Sequence, residues 1–177
     1  FFEHAYHVQK IDWFVHTSAL NPDNPELVLA RKFGARIAKR DELLAHIIAE
    51  KKLKLLAVAG THGKTSATAM TVWALKQRNV PVSYSIGTTL SWGASGTYDA
   101  ASEYFVYECD EFDRNMLHFS PHATIITSLD YDHPDTYPTP ESYFAAFDEF
   151  IGKSRHTIVC KHDTLRLQPL PKSTWQL

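Results

Sequence analysis

The residues with the clearest chemical purpose are Gly60-Thr61-His62-Gly63-Lys64-Thr65-Ser66. Glycine lets a backbone turn tightly and approach an anion with no Cβ in the way. The apolar run Leu55-Leu56-Ala57-Val58-Ala59 precedes the segment, and a helical pattern from Thr65 to Arg78 follows it. A helix starting there aims its unpaired N–H groups and the positive end of its dipole at the loop. Lys64 is then placed to reach terminal phosphates, and the Thr65 hydroxyl to bind Mg²⁺. On this context, every position from Gly60 to Ser66 is a candidate for binding a nucleotide's phosphates. Gly-Lys-Thr on a plain surface turn would not carry that reading. The common pattern has a glycine at position 58, where this chain has Val58, so the loop is a shortened variant.

Two further residues fall beside this loop if the strands around it are parallel. Glu108 ends the strand candidate Tyr104–Tyr107, and His133 lies just beyond the strand candidate Ala123–Thr127. Open α/β sheets bind ligands at the carboxyl ends of their strands. Glu108 offers the hard oxygen that Mg²⁺ prefers; His133 is a less usual ligand for so hard an ion. Read alone, Glu108 could equally be a helix-capping acid, since Asp110, Glu111 and Asp113 crowd the same turn. A lone His before a Pro is more often structural than a ligand. Asp110, Glu111 and Asp132 are candidates for outer partners that orient the ligands. Pro134 is expected to hold His133 in an extended backbone. His118 and His122 stand four apart, but Pro121 between them argues against a shared helix face and against zinc.

The elements that must position these groups alternate between short apolar runs and helical patterns, the signature of a doubly wound, mostly parallel α/β sheet. Ile11–Val15, Leu55–Ala59, Val82–Ile86, Tyr104–Tyr107, Ala123–Thr127 and Thr157–Cys160 are the strand candidates. Leu55–Ala59 is apolar throughout, as a central strand buried on both faces should be. Asn24-Pro25 opens a first helix, with Asn as N-cap and Pro at the first helical position, and Gly34 closes it. Asp41 is expected to cap a second helix. Thr139-Pro140 opens the last one, with Tyr143, Phe144, Phe147, Phe150 and Ile151 on one stripe and Gly152 at its end. The charged stretch Glu50-Lys51-Lys52 suggests a domain boundary, dividing the chain into 1–50 and 51–177.

With 44% hydrophobic residues and 21% charged, the chain has the material for a packed core. A net charge of −2 gives no general attraction to polyanions, so binding of nucleic acid by a basic surface is excluded and any phosphate site must be local. No apolar run approaches the roughly 18 residues of a membrane-spanning helix. Cys109 and Cys160 read as two reduced core thiols rather than a disulfide. The four tryptophans share no spacing, which suits packing. Both ends read as the middle of a longer chain.

Three segments resemble the Mur ligases of bacterial cell-wall synthesis, in the same order. Ala59-Gly60-Thr61-His62-Gly63-Lys64-Thr65 is similar to the shortened ATP loop of that family. Tyr107-Glu108-Cys109-Asp110-Glu111-Phe112-Asp113 is similar to the Glu-Ala-Asp-Glu-Ser-Asp segment of its alanine-adding branch. Asp132-His133-Pro134-Asp135-Thr136-Tyr137 resembles that branch's Asp-His-x-Asp-Thr-Tyr. Upstream, Thr17-Ser18-Ala19-Leu20 and Asp23-Asn24-Pro25-Glu26 resemble the end of a UDP-sugar-binding domain. The resemblance implies the tail of a Rossmann-like UDP-binding domain over 1–50 and most of a central ATP-binding domain over 51–177. It implies Lys64, Glu108 and His133 as catalytic residues, with Thr65, Glu108 and His133 on Mg²⁺. It also implies a cytoplasmic, ATP-dependent ligase that joins L-alanine to the carboxylate of UDP-N-acetylmuramate through an acyl phosphate, in peptidoglycan precursor synthesis. A member that recycles a tripeptide onto the same sugar nucleotide, or a non-catalytic phosphate-loop module, is the alternative. Relatives carry Asn where this chain has Ser128, and a second Gly where it has Thr88. No Lys lies between His133 and Lys153, which favours the alanine-adding branch over members that use a carbamylated lysine there.

Overall fold

A computed structural model describes residues 11–159, 162–167 and 174–176. The chain forms two compact units, 1–47 and 48–177. In the first, β1 (Trp13–His16) pairs in parallel with β2 (Arg36–Lys39), and α1 (Pro25–Lys32) connects them. The start of α1 is written in its sequence. Asn24 Oδ1 accepts from the N–H groups of Glu26 (2.9 Å) and Leu27 (3.3 Å), and Pro25 takes the first turn. Glu26 at the start and Arg31 and Lys32 at the end complement the helix dipole. Gly34 follows the helix at φ +72°, the left-handed geometry that stops one.

α2 (Arg40–Glu50) begins two residues earlier than an Asp41 cap would place it, directly from β2. Asp41 therefore lies inside the first turn and is not its N-cap. The capping bond comes instead from Glu42, whose Oε1 accepts from the Lys39 N–H at 3.2 Å. The short strand β2, Arg-Ile-Ala-Lys, has too little apolar length to stand out in the sequence.

The second unit is built on a seven-stranded sheet. Its strands are β3 (Lys54–Ala59), β4 (Val82–Ser85), β5 (Gly96–Thr97), β6 (Tyr104–Glu108), β7 (Ala123–Ile126), β8 (His156–Val159) and β9 (Thr174–Gln176). They lie in the order β5-β4-β6-β3-β7-β8-β9, all parallel except β5, which runs against β4 at the edge. The strand expected at Thr157–Cys160 is β8; Cys160 lies outside the described residues. Cys109 is a buried thiol.

β3 sits in the middle, and its residues Leu55 and Ala57–Ala59 are buried, as a strand covered on both faces requires. After β3 the chain moves one way across the sheet through α3 (Lys64–Gln77) to β4. After β7 it moves the other way through α4 (Pro140–Gly152) to β8. Right-handed crossovers in opposite directions put the two helices on opposite faces, which makes the sheet doubly wound. Val72 of α3 packs with Val82, Tyr84, Ile86 and Val106 on one side. On the other, α4 buries Tyr143, Ala146, Phe147, Phe150 and Ile151. Phe144, expected on that stripe, is only half-buried, and Ala146 takes the inner position. A capping box between Thr139 and Ser142, with Pro140 at the first helical position, starts α4. The direction of the chain reverses around β3, so the carboxyl ends of β3, β6 and β7 form the crevice where such sheets bind ligands.

Candidate active site

The loop after β3 enters α3 through Gly63, which stands at φ +80° as the helix N-cap and so supplies no capping side chain. The N–H groups of Lys64, Thr65 and Ser66, the first residues of α3, thus have no side-chain cap. The positive end of the helix dipole adds to them, and together they make an anion site. Gly60 is needed for a second reason. At φ +128° a Cβ there would come within 2.5 Å of Thr127 Oγ1 and 2.7 Å of the Ser128 carbonyl oxygen, so only glycine lets the loop pass this close to the end of β7.

The rest of the loop is pinned from behind. The Thr61 N–H donates to the Ser128 carbonyl (3.0 Å). The Thr61 hydroxyl is shared among the Asp130 carbonyl (2.7 Å), the Asp130 N–H (2.8 Å) and the Tyr143 hydroxyl (2.8 Å). The His62 N–H donates to Ser128 Oγ (2.9 Å). Ser128 therefore supplies, with its hydroxyl, a hydrogen-bonding place beside the loop. Thr61 is buried and turned toward the scaffold; its side chain shapes the loop. Thr88 bonds only locally among the described contacts, to the Thr89 carbonyl.

In front of the loop lies an open cleft of about 380 Å³, lined by Thr61 to Ser66 and Glu108. Glu108, the last residue of β6, reaches across it. Its Oε1 accepts from the Thr65 hydroxyl at 2.7 Å and its Oε2 from the Gly87 N–H at 2.8 Å. Gly87 is small enough for this approach, since a Cβ would stand 3.1 Å from Oε2. The structure thus brings together Thr65 and Glu108, two of the three expected Mg²⁺ ligands.

His133 belongs to a different group. Its Nε2 faces Glu111 Oε1 at 3.5 Å, and its ring packs edge-on against Phe112. Its backbone is also not extended. His133 stands at φ +55°, because its carbonyl accepts from both the Thr136 and Tyr137 N–H groups in a tight turn, and these bonds outweigh the bias that Pro134 imposes. A side chain held on a left-handed backbone costs energy, and such strain is common where a group is aimed for function.

Lys64 joins the two groups. Its ammonium donates to the Gly60 carbonyl (2.7 Å), the Thr61 carbonyl (3.2 Å), and Glu111 Oε2 (2.9 Å) and Oε1 (3.1 Å). Glu111 is the residue that sequence reasoning left among several acids. It is only 1% exposed. Burial pushes its carboxyl pKa up, against the pull of the Lys64 ammonium. Asp113 and Arg114, both at positive φ, reverse the chain just after it. The Arg114 N–H donates to the Glu111 carbonyl and the Met116 N–H to the Asp110 carbonyl, which hold that turn. Tyr137, buried, donates its hydroxyl to the Glu111 carbonyl at 2.6 Å.

One carboxylate and one hydroxyl 2.7 Å apart at a helix N-terminus fit Mg²⁺, an ion that takes most of its shell from water and phosphate. Among the described residues, no group of three or more His, Cys, Asp and Glu side chains forms a protein-only metal cage. Glu108 and Thr65 would hold the ion; His133, the third expected ligand, faces Glu111 in this structure. No helix of the described residues is long and apolar enough to cross a membrane.

Comparison with known proteins agrees with the fold. Residues 58–173 match the model of the Mur ligase middle domain. A UDP-N-acetylmuramate–L-alanine ligase of Nocardioides is 40% identical over 146 residues, which cover 82% of this chain and 32% of that protein. The crystal structure of the UDP-N-acetylmuramate–alanine ligase of Thermotoga maritima superposes with a TM-score of 0.82 at 27% identity, over 94% of this chain and 39% of the other. The Neisseria ligase that acts on UDP-N-acetylmuramate and a tripeptide superposes with a TM-score of 0.81 at 22% identity, over 97% and 60% of the two chains, a likeness of fold alone. The chain spans about a third of the length of the curated relatives it matches.

Proposed function

The chain belongs to the Mur ligase family by its middle domain, and from that premise we propose that it is the ATP-binding part of a ligase that joins L-alanine to UDP-N-acetylmuramate. The observation that carries the chemical half is the cluster of Lys64, Thr65 and Glu108 at an uncapped helix N-terminus, facing an open cleft. The substrate half rests on identity to relatives that bear the alanine-ligase name. Likeness of fold does not separate the alanine-adding and tripeptide-recycling enzymes, since both superpose equally well. In this reading, residues 1–50 are the end of a UDP-sugar-binding domain and 51–177 are most of the ATP-binding domain. In this reading the reaction is cytoplasmic, since its substrates would be ATP, a sugar nucleotide and an amino acid.

A carboxylate is a poor electrophile and repels nucleophiles with its charge, so it must be activated before an amine can attack. Its oxygen attacks the γ-phosphorus of ATP, ADP leaves, and the amine of L-alanine then displaces phosphate from the acyl carbon. Phosphoryl transfer of this kind needs positioning and charge neutralisation more than covalent help. The N–H groups of Lys64 to Ser66 and the Lys64 ammonium would bind the phosphates and stabilise charge developing on the transferred group. Gly60 and Gly63 let the backbone come close. Thr65 and Glu108 would hold Mg²⁺, which would supply further positive charge at the phosphates. No nucleophilic side chain is required.

The test is phosphate release by the full-length protein with ATP, Mg²⁺, UDP-N-acetylmuramate and one amino acid at a time. Release with L-alanine that stops when the sugar nucleotide is left out is the expected result. Release only with the tripeptide would move the assignment to the recycling ligase. Release without any carboxylate substrate would return the chain to a simple ATPase.

A further inference from the structure

Glu111 is a buried carboxylate that the mechanism above does not use, yet it meets two of the three residues expected to be catalytic, Lys64 and His133. Each of its oxygens lies within 3.1 Å of the Lys64 ammonium, and Oε1 also faces His133 Nε2. Its carbonyl anchors Tyr137, which sits in the same turn as His133. With the Gly60 and Thr61 carbonyls, Glu111 engages the ammonium on the donors a phosphate would otherwise claim. A charge this buried is expensive unless paired, so Glu111 depends on Lys64 for its counter-ion. An anion entering the loop must take that lysine from it, wholly or in part.

We propose that Glu111 is a positioning latch: it holds the Lys64 ammonium and the His133 imidazole together in one site, and the nucleotide's phosphates compete with it for the lysine. The inference rests on the reading of the cleft as a nucleotide site. It adds a trade-off, because the latch weakens binding of nucleotide while keeping lysine and histidine in register for turnover. Glu111→Gln keeps the shape and removes the charge, so it separates the two effects.

The experiment uses the full-length protein and three readouts: the dissociation constant for ATP without other substrates, kcat with KM for ATP, and the melting temperature. Glu111→Gln is expected to bind ATP about tenfold more tightly, while kcat falls at least as far. Unchanged or weaker binding by a protein that melts like the wild type would overturn the proposal, and so would tighter binding with kcat intact. A purely structural role would lower the melting temperature and leave binding and turnover per folded molecule alone. Should Glu111→Gln not fold, stability of the pair Lys64→Met and Lys64→Met/Glu111→Gln decides. The double variant must be the more stable, since it no longer buries an unpaired carboxylate; if it is not, the pairing claim fails. Binding and melting are read without the sugar nucleotide, so an absent ligase activity in the wild type would sink the proposed function while leaving those two arms of the test standing.

Discussion

On the proposed function, single residues divide into those that would meet the phosphates and those that shape the place where they would be met. Lys64→Ala should still fold, at lower stability because Glu111 loses its counter-ion, and turnover per folded molecule of the full-length enzyme should drop by at least about a hundredfold, the scale of losing one preorganised group on a developing charge. Activity and ATP affinity like the wild type's would remove Lys64 from the site. Gly60→Ala should act earlier, on folding itself. The added Cβ meets the Thr127 side chain and Ser128 backbone, neither of which yields cheaply, at a φ that alanine avoids. We expect a loss of about 2 kcal/mol or more in denaturant unfolding, with loss of nucleotide binding. The loop was legible in the sequence because its residue types have few other uses at that spacing. Glu111 was not. It stands among Asp110 and Asp113, and only burial and its place above Lys64 separate it from them.

At the scale of elements, the loop depends on its neighbours more than on itself. The segment after β7 and the first turns of α4 hold Thr61 and His62 from behind through Ser128, Asp130 and Tyr143. Tyr143→Phe removes one of these bonds and leaves the ring in place, so it should cost about 1 kcal/mol in unfolding experiments. An unchanged stability would mean that Tyr143 does not hold the loop. Alkali should loosen the same region. Burial raises Tyr143 well above the usual phenol range and lifts Tyr137 to about 12 from 10.0. A group whose folded pKa is raised gives stability that is intact below its unfolded value and lost as pH rises through the folded one. Stability should therefore fall between about pH 10 and 12, and Tyr137→Phe should make that fall shallower. The long apolar strands and capped helices could be read in advance. β2, β5 and β9 could not, being short, partly charged or at the sheet edge, where pairing rather than local sequence makes a strand. The His133 turn was misread for a similar reason: two backbone hydrogen bonds outweighed a local preference.

For the molecule as a whole, the proposed nucleotide site sits on a chain about a third as long as its curated relatives. The sheet order explains why phosphate loop, Glu108 and His133 converge although they are far apart in sequence. β6 and β7 flank β3, and all three deliver their carboxyl ends to one edge. That convergence could be expected from the alternation of elements. The order of strands that produces it, and the pairing of Lys64 with Glu111, needed the structure. The cleft is lined by the loop residues Thr61 to Ser66 and by Glu108, a lining suited to phosphates. This chain alone should then bind ATP without forming product, as a binding titration beside an activity assay would show.

The central claim is that a carboxylate is activated by phosphoryl transfer at this loop, and oxygen transfer tests it most directly. UDP-N-acetylmuramate labelled with ¹⁸O in its carboxylate is turned over by the full-length protein with ATP and L-alanine, and the released phosphate is weighed by mass spectrometry. The attacking carboxylate oxygen stays on phosphorus when the amine displaces it, so each phosphate should carry one ¹⁸O. Phosphate released alongside product without the label would contradict the account, because the carboxylate would never have attacked the nucleotide.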